Sequence, residues 1–113
     1  MDWPACLALN LWPRTGKLED DAGGNALNLP VPRGFNDDEM ALVRDHLILP
    51  QVAAFRPEAI ILQCGADALA DDPLSHLSLS NTAHWAILRA LTALAPRLLV
   101  LGGGGYNPWT VAR

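Results

Sequence analysis

Lysine is almost missing from this chain of 113 residues: Lys17 stands with seven arginines against twelve acids, for a net charge of −4. The arginines are scattered and form no basic stripe, so a nucleic acid held by charge is excluded as a direct partner. Cysteine is scarce too. Cys6 and Cys64 cannot build a disulfide framework, and a reducing, cytoplasmic setting is the default expectation. A long apolar run is also lacking. Met1 to Trp12 holds a short one, but with Asp2 and no basic flank it makes a poor leader and is too short to cross a bilayer, so no membrane partner is expected. There is neither an internal repeat nor a low-complexity tract. Half of the residues are hydrophobic and 18% are charged, which describes a folded segment of one domain at most.

What is present is an alternation of strand and helix signals. Trp12 to Gly24 reads as a surface loop, with Pro13, Gly16, Gly23 and Gly24 around the acidic Glu19-Asp20-Asp21. Asn25 to Val31 alternates, placing Leu27, Leu29 and Val31 on one face of a short strand. Asn36 followed by Asp37, Asp38 and Glu39 starts a helix carrying Met40, Val43 and Leu47 on one side, bent or broken at Pro50 and ending near Phe55. Ala59 to Cys64 is the next strand. Ser80 or Asn81 caps a helix whose apolar positions include Ala83, Ile87, Leu91 and Leu94, and Pro96 stops it before the strand Leu98 to Leu101. Asn107-Pro108 opens a further helix. Right-handed crossovers make this an α/β chain: a parallel, three-stranded sheet with helices on its faces and strands buried on both sides.

Two strand ends are punctuated by glycine: Gln63-Cys64-Gly65-Ala66-Asp67-Ala68-Leu69-Ala70-Asp71-Asp72-Pro73 and Leu101-Gly102-Gly103-Gly104-Gly105-Tyr106. In open α/β sheets chemistry collects just beyond the carboxyl ends of strands, so the two tips can present a carboxylate and a phenol to one small volume. Plainer readings exist. Asp67, Asp71 and Asp72 can be solvated or turn-capping acids, and the four glycines can simply permit positive φ and close backbone approach. A phosphate-cradling loop is a weaker match, because the spaced Walker pattern with its Lys and the G-x-G-x-x-G pattern are both absent. Asp72 and His76, four apart, could be imagined as a metal pair, set against the commonplace of a loop histidine facing solvent.

Taken together the two glycine motifs resemble the histone deacetylase family, which includes acetoin-utilisation proteins and acetylpolyamine amidohydrolases. Trp12-Pro13-Arg14-Thr15-Gly16 is similar to that family's aromatic-Pro-x-x-Gly loop, Asn25 to Pro30 to its Asn-rich strand, Arg56-Pro57-Glu58 to the entry of its metal-bearing strand, and Asn107 to Arg113 to its next helix. The resemblance runs from Trp12 to Arg113, with residues 1–11 divergent. It implies a partial arginase–deacetylase fold, residues 1–113 forming a single partial domain from the C-terminal portion of a catalytic domain.

The resemblance further implies a zinc-dependent hydrolase of acetylated amines, with acetyl-lysine or acetylpolyamine as the substrate type. It makes Asp72 a carboxylate ligand of the zinc and Asp67 the structural acid of the turn. Tyr106 becomes the catalytic phenol that hydrogen-bonds the substrate carbonyl and then the oxyanion. Gly104 is placed at the floor of the substrate channel and Leu79 in its wall. The family's remaining ligands, in an Asp-x-His stretch, and its His-His pair have no counterpart: His46, His76 and His84 stand in neither motif. The chain is therefore expected to carry part of an active site, to bind zinc weakly and turn over little alone, and to associate through exposed sheet edge. Two other readings remain open, a non-catalytic interaction module keeping the partial fold and a nucleotide-binding α/β domain using Gly102 to Gly105.

Overall fold

The computed structural model describes Lys17 and residues 19–112. The expectations for Trp12 to Gly16 and for the divergent start lie outside that range. Helix α1, Asp37–Val43, begins at a full capping box. Asn36 Oδ1 accepts the N–H groups of Asp38 and Glu39 at 3.0 and 3.2 Å, and Glu39 accepts the Asn36 N–H at 3.0 Å. Three acids in the first turn suit the positive end of the helix dipole.

The helix does not break at Pro50. It widens into a π turn, Arg44–Ile48, and continues as α2, Leu49–Phe55. The Leu49 N–H reaches back five residues to the Arg44 carbonyl. Proline has no N–H to give and its ring crowds the carbonyl four residues before it, so a wider turn just ahead of Pro50 lets the helix pass. Arg56, at φ 52 and ψ 60, ends α2 in the left-handed region.

Strand β1, Ile60–Cys64, leads into a 3-10 turn at Ala66–Ala68 and then to α3, Asn81–Leu91. Ser80 caps α3, its hydroxyl accepting the Thr82 N–H at 3.1 Å. Ala83, Ile87 and Leu91, spaced by four, form the buried stripe of α3. Strand β2, Leu98–Gly102, pairs parallel to β1 in a register running from Ile60 opposite Leu98 to Cys64 opposite Gly102. The short α4, Pro108–Val111, is capped by Asn107. A helix between two parallel strands is the crossover that such pairing requires.

The core joins the loop before α1 to both helical layers. Phe35, Val43, Leu79 and Ala83 are buried together, with Leu29, Val31, Met40 and Ile48 packed around them. Each large apolar side chain so buried contributes about 1.5–3 kcal/mol. Isolated parallel bridges, Asn36 to Ser78 and Leu69 to Leu79, tie the loop after β1 to this core.

Two expectations are corrected. Asn25 to Val31 is not a strand: after a turn ending at Asn25 the segment is irregular, and Leu27 is exposed while Leu29 and Val31 are half-buried against the core. Alternation reported which side chains go inward, but among the described residues no strand edge pairs with them to supply ladder hydrogen bonds. Nor are the strands buried on both faces. Among the described residues the sheet has two strands, and Ile61 is 68% exposed and Leu99 54%. Apolar runs report a strand's potential for burial, and the described residues include nothing that covers this side of the sheet.

Candidate active site at the strand tips

The tips of β1 and β2 meet through backbone. The Gly104 carbonyl accepts the N–H groups of Ala66 at 2.7 Å and Asp67 at 3.3 Å, and Asn107 Nδ2 donates to the Asp71 carbonyl at 3.0 Å. Glycine is required here for space. A methyl on Gly103 would sit 3.0 Å from the Gly65 Cα, and one on Gly104 would sit 2.6 Å from the Asp67 Cγ. Gly105, at φ +148, adds a backbone conformation that L residues rarely adopt.

Asp72 is buried, and its carboxylate is committed to main chain. Oδ1 accepts the N–H groups of Leu74 at 2.9 Å and Ser75 at 3.0 Å, while Oδ2 accepts the Tyr106 N–H at 2.9 Å. Burial pushes this carboxyl up, but the N–H groups of Ser75, Tyr106 and Leu74 outweigh it and hold the group below the usual aspartate range. Both oxygens of the carboxylate expected to face a metal are thus directed onto three main-chain N–H donors of the turn and the glycine loop. The neighbour behaves in the opposite way. The Asp67 carboxylate is half-buried against Gly65 and Gly104 and has no hydrogen-bond partner among the described residues.

Tyr106 is where the sequence puts it, at the end of the glycine run, and the residue is 52% exposed. It adjoins Asp72 through its backbone N–H, leaving the phenol clear of that carboxylate's hydrogen bonds. Gly104 lies against the Asp67 carboxylate, as a residue at the floor of a site at these tips would. Leu79, expected in the channel wall, is 6% exposed. It is buried in the core beside Phe35, Val43 and Ala83, because its bridge to Leu69 turns it inward. Leu74 is the exposed leucine of this region, held by its N–H on Asp72, and sequence reading passed over it. The available signal was an apolar residue following Asp-Pro in a loop.

His76 forms no pair with Asp72: its Nδ1 lies 3.0 Å from Arg33 Nη2, a cationic neighbour that discourages a metal. Burial pushes the Cys64 thiol up, away from the reactive thiolate. Among the described residues no three His, Cys, Asp or Glu side chains are grouped to hold a metal. A catalytic zinc takes three protein ligands and a water, so these residues do not by themselves fit one. The glycine loop is no phosphate cradle either. Asp67 and Asp72 set two carboxylates beside it, and Asp72 already occupies the Tyr106 N–H that an anion would need.

The comparisons with known proteins decide the family. A model of the histone deacetylase domain matches residues 7–113. The chain belongs to the histone deacetylase family. It is 38% identical over 108 residues to histone deacetylase 6 of Arabidopsis thaliana, covering 92% of this chain and 23% of that protein. To histone deacetylase clr6 of Schizosaccharomyces pombe it is 36% identical over 106 residues, covering 90% and 26%. Among solved structures it superposes on the HDA15 HD domain with a TM-score of 0.83 at 28% identity, covering 91% of this chain and 31% of that one. A deacetylase homologue solved in complex with SAHA gives 0.75 at 36% identity, covering 92% and 29%. The chain thus spans about a quarter of the curated deacetylases it matches and folds as part of the arginase–deacetylase fold. No helix among the described residues is long and apolar enough to cross a membrane.

Proposed function

We propose that this chain carries the strand-tip half of a deacetylase site that hydrolyses the amide of an acetylated amine, lysine or polyamine. The observation that carries the reading is the juxtaposition at the tips of β1 and β2 of an Asp67 carboxylate unpartnered among the described residues, a glycine floor and the exposed Tyr106. Tyr106 is a neutral donor in reach of solvent, so it can hydrogen-bond a substrate carbonyl and bond the tetrahedral oxyanion more strongly as charge develops. Asp67, its lone pairs unspent among the described residues, is the carboxylate for a metal here; Asp72 is not. Leu74, rather than Leu79, offers the apolar wall for the alkyl stem of an acylated amine. A zinc, where bound by a complete set of ligands, polarises an amide carbonyl and activates water. The described residues supply one carboxylate toward such a set, so alone the chain binds zinc weakly and turns over little.

The test is a chimera in which residues 12–113 replace the matching segment of the Arabidopsis deacetylase. Turnover of an acetyl-lysine peptide should appear in the chimera and fall on the order of 10²–10³-fold in Tyr106→Phe. It should be lost together with stoichiometric zinc in Asp67→Ala, while Leu79 variants alter stability alone. Undiminished turnover in Tyr106→Phe would remove the reading.

A second reading rests on a separate observation, the exposed Ile61, Leu99, Val100 and Leu101 of the sheet. As a non-catalytic module the chain would bind a protein partner through that surface and edge. A stable stoichiometric complex in a chain that takes up no zinc in any context would favour it.

A further inference from the structure

We infer that Asp72 is a positioning residue for Tyr106: by its Oδ2 it sets the height of the phenol-bearing loop over the tip of β1, while its Oδ1 holds the rim at Leu74. The two oxygens have separate work. Oδ1 closes the turn locally, on N–H groups two and three residues ahead, whereas Oδ2 reaches 34 residues along the chain to the Tyr106 N–H. Gly103 to Gly105 have no side chains to pack, and their backbone strongly favours freedom, so something else must fix where Tyr106 leaves the loop. Besides the Gly104 carbonyl, which accepts the Ala66 and Asp67 N–H groups, two polar links among the described residues act at Tyr106 and the residue after it. The Asn107 amide holds the Asp71 carbonyl at 3.0 Å, one residue beyond Tyr106, and the Asp72 carboxylate holds Tyr106 itself. Of the two, the carboxylate bond is charge-assisted and nearly shielded from water, and is the stronger. A phenol that bonds a developing oxyanion is effective only within a fraction of an ångström of its place. The same carboxylate, through Leu74, ties the apolar rim to that position.

The inference rests on the role given to Tyr106 above, and it is tested without turnover, so the two fail separately. Tyr106 is the chain's sole tyrosine, so 15N- and 13C-tyrosine labelling of the full chain gives one amide signal and one ring, and a uniformly 15N-labelled sample reports the Leu74 and Ser75 amides. With the aspartate carboxyl carbons also labelled, a scalar coupling across the hydrogen bond should join the Tyr106 nitrogen to one aspartate side-chain carboxyl. Asp72→Asn separates the two oxygens. An Asn Oδ1 still caps Leu74 and Ser75, as asparagine does in such turns, but sets an NH2 against the Tyr106 N–H.

The expected result in Asp72→Asn is an upfield move of the Tyr106 amide and solvent exchange faster by roughly tenfold or more. The tyrosine ring signals should shift with it while the Leu74 and Ser75 amides stay in place, and Asp72→Glu should not restore the signals, its longer stem displacing one bond or the other. Mere turn capping predicts an unchanged Tyr106 amide and ring in Asp72→Asn. That result overturns the inference, as does a missing coupling in the unmutated chain. General unfolding of the Asn variant despite an intact coupling also overturns it, by making the acid an element of overall stability.

Discussion

The helical side of this molecule and its sheet are stabilised in opposite ways. Phe35, Val43, Leu79 and Ala83 are held by burial, between helices that begin at side-chain caps. Strand β2, as apolar as any segment of the chain, leaves Leu99, Val100 and Leu101 about half exposed. Its tip is nonetheless ordered, by carboxylate, amide and glycine-to-backbone contacts. Order at a site can thus be polar and local, and does not require the adjoining apolar surface to be covered.

The strongest way to break that contrast is Phe35→Ala, which should destabilise the chain by about 3–5 kcal/mol in urea unfolding, enough to abolish folding in a small domain. At the tip, Gly105→Ala meets both a positive φ and the Ala66 Cβ at 2.9 Å. It should cost about 1–3 kcal/mol by the same measurement. Gly104→Ala should cost less, because its backbone conformation is open to alanine and the collision is with the Asp67 carboxylate. Its signature is displacement of Asp67, read as lost zinc affinity in the deacetylase chimera.

Acid sharpens the comparison further. Asp72, held below the usual aspartate range by its N–H donors, contributes stability that is complete above about pH 4 and lost as pH falls through its lowered value. Thermal unfolding followed from pH 5 to 2 should therefore decline less steeply in Asp72→Asn than in the unmutated chain. Asp45, lowered in the same sense chiefly by the Arg44 hydrogen bond, remains in both and leaves the difference to Asp72. The smallest effect belongs to the sheet face. Leu99→Ser should change stability by within about 0.5 kcal/mol, and light scattering should show less self-association.

Much of this was legible in the sequence because it is local. Asn36 with Glu39 three residues on, Ser80 before Thr82 and Asn107 before Pro108 each specify a cap within a few residues. The two glycine tips and Tyr106 were legible for the same reason. The passage through Pro50 was not, because a π turn has no residue signature, only a neighbour that needs it. The difference in burial between Leu74 and Leu79 was not legible either, because both are leucines in one loop and only the Leu69 bridge decides which faces the core.

By itself the sequence determined where helices start, which strands pair with a crossover between them, and which family the chain resembles; all of these follow from short-range preference and motif. The surroundings of Asp67 and Asp72 were decided in three dimensions. Five residues apart and chemically identical, they differ because β2 brings the Tyr106 N–H to one and the bare Gly104 backbone to the other. A carboxylate is drawn to whichever donors surround it; two of those at Asp72 are local, and the third comes from 34 residues away.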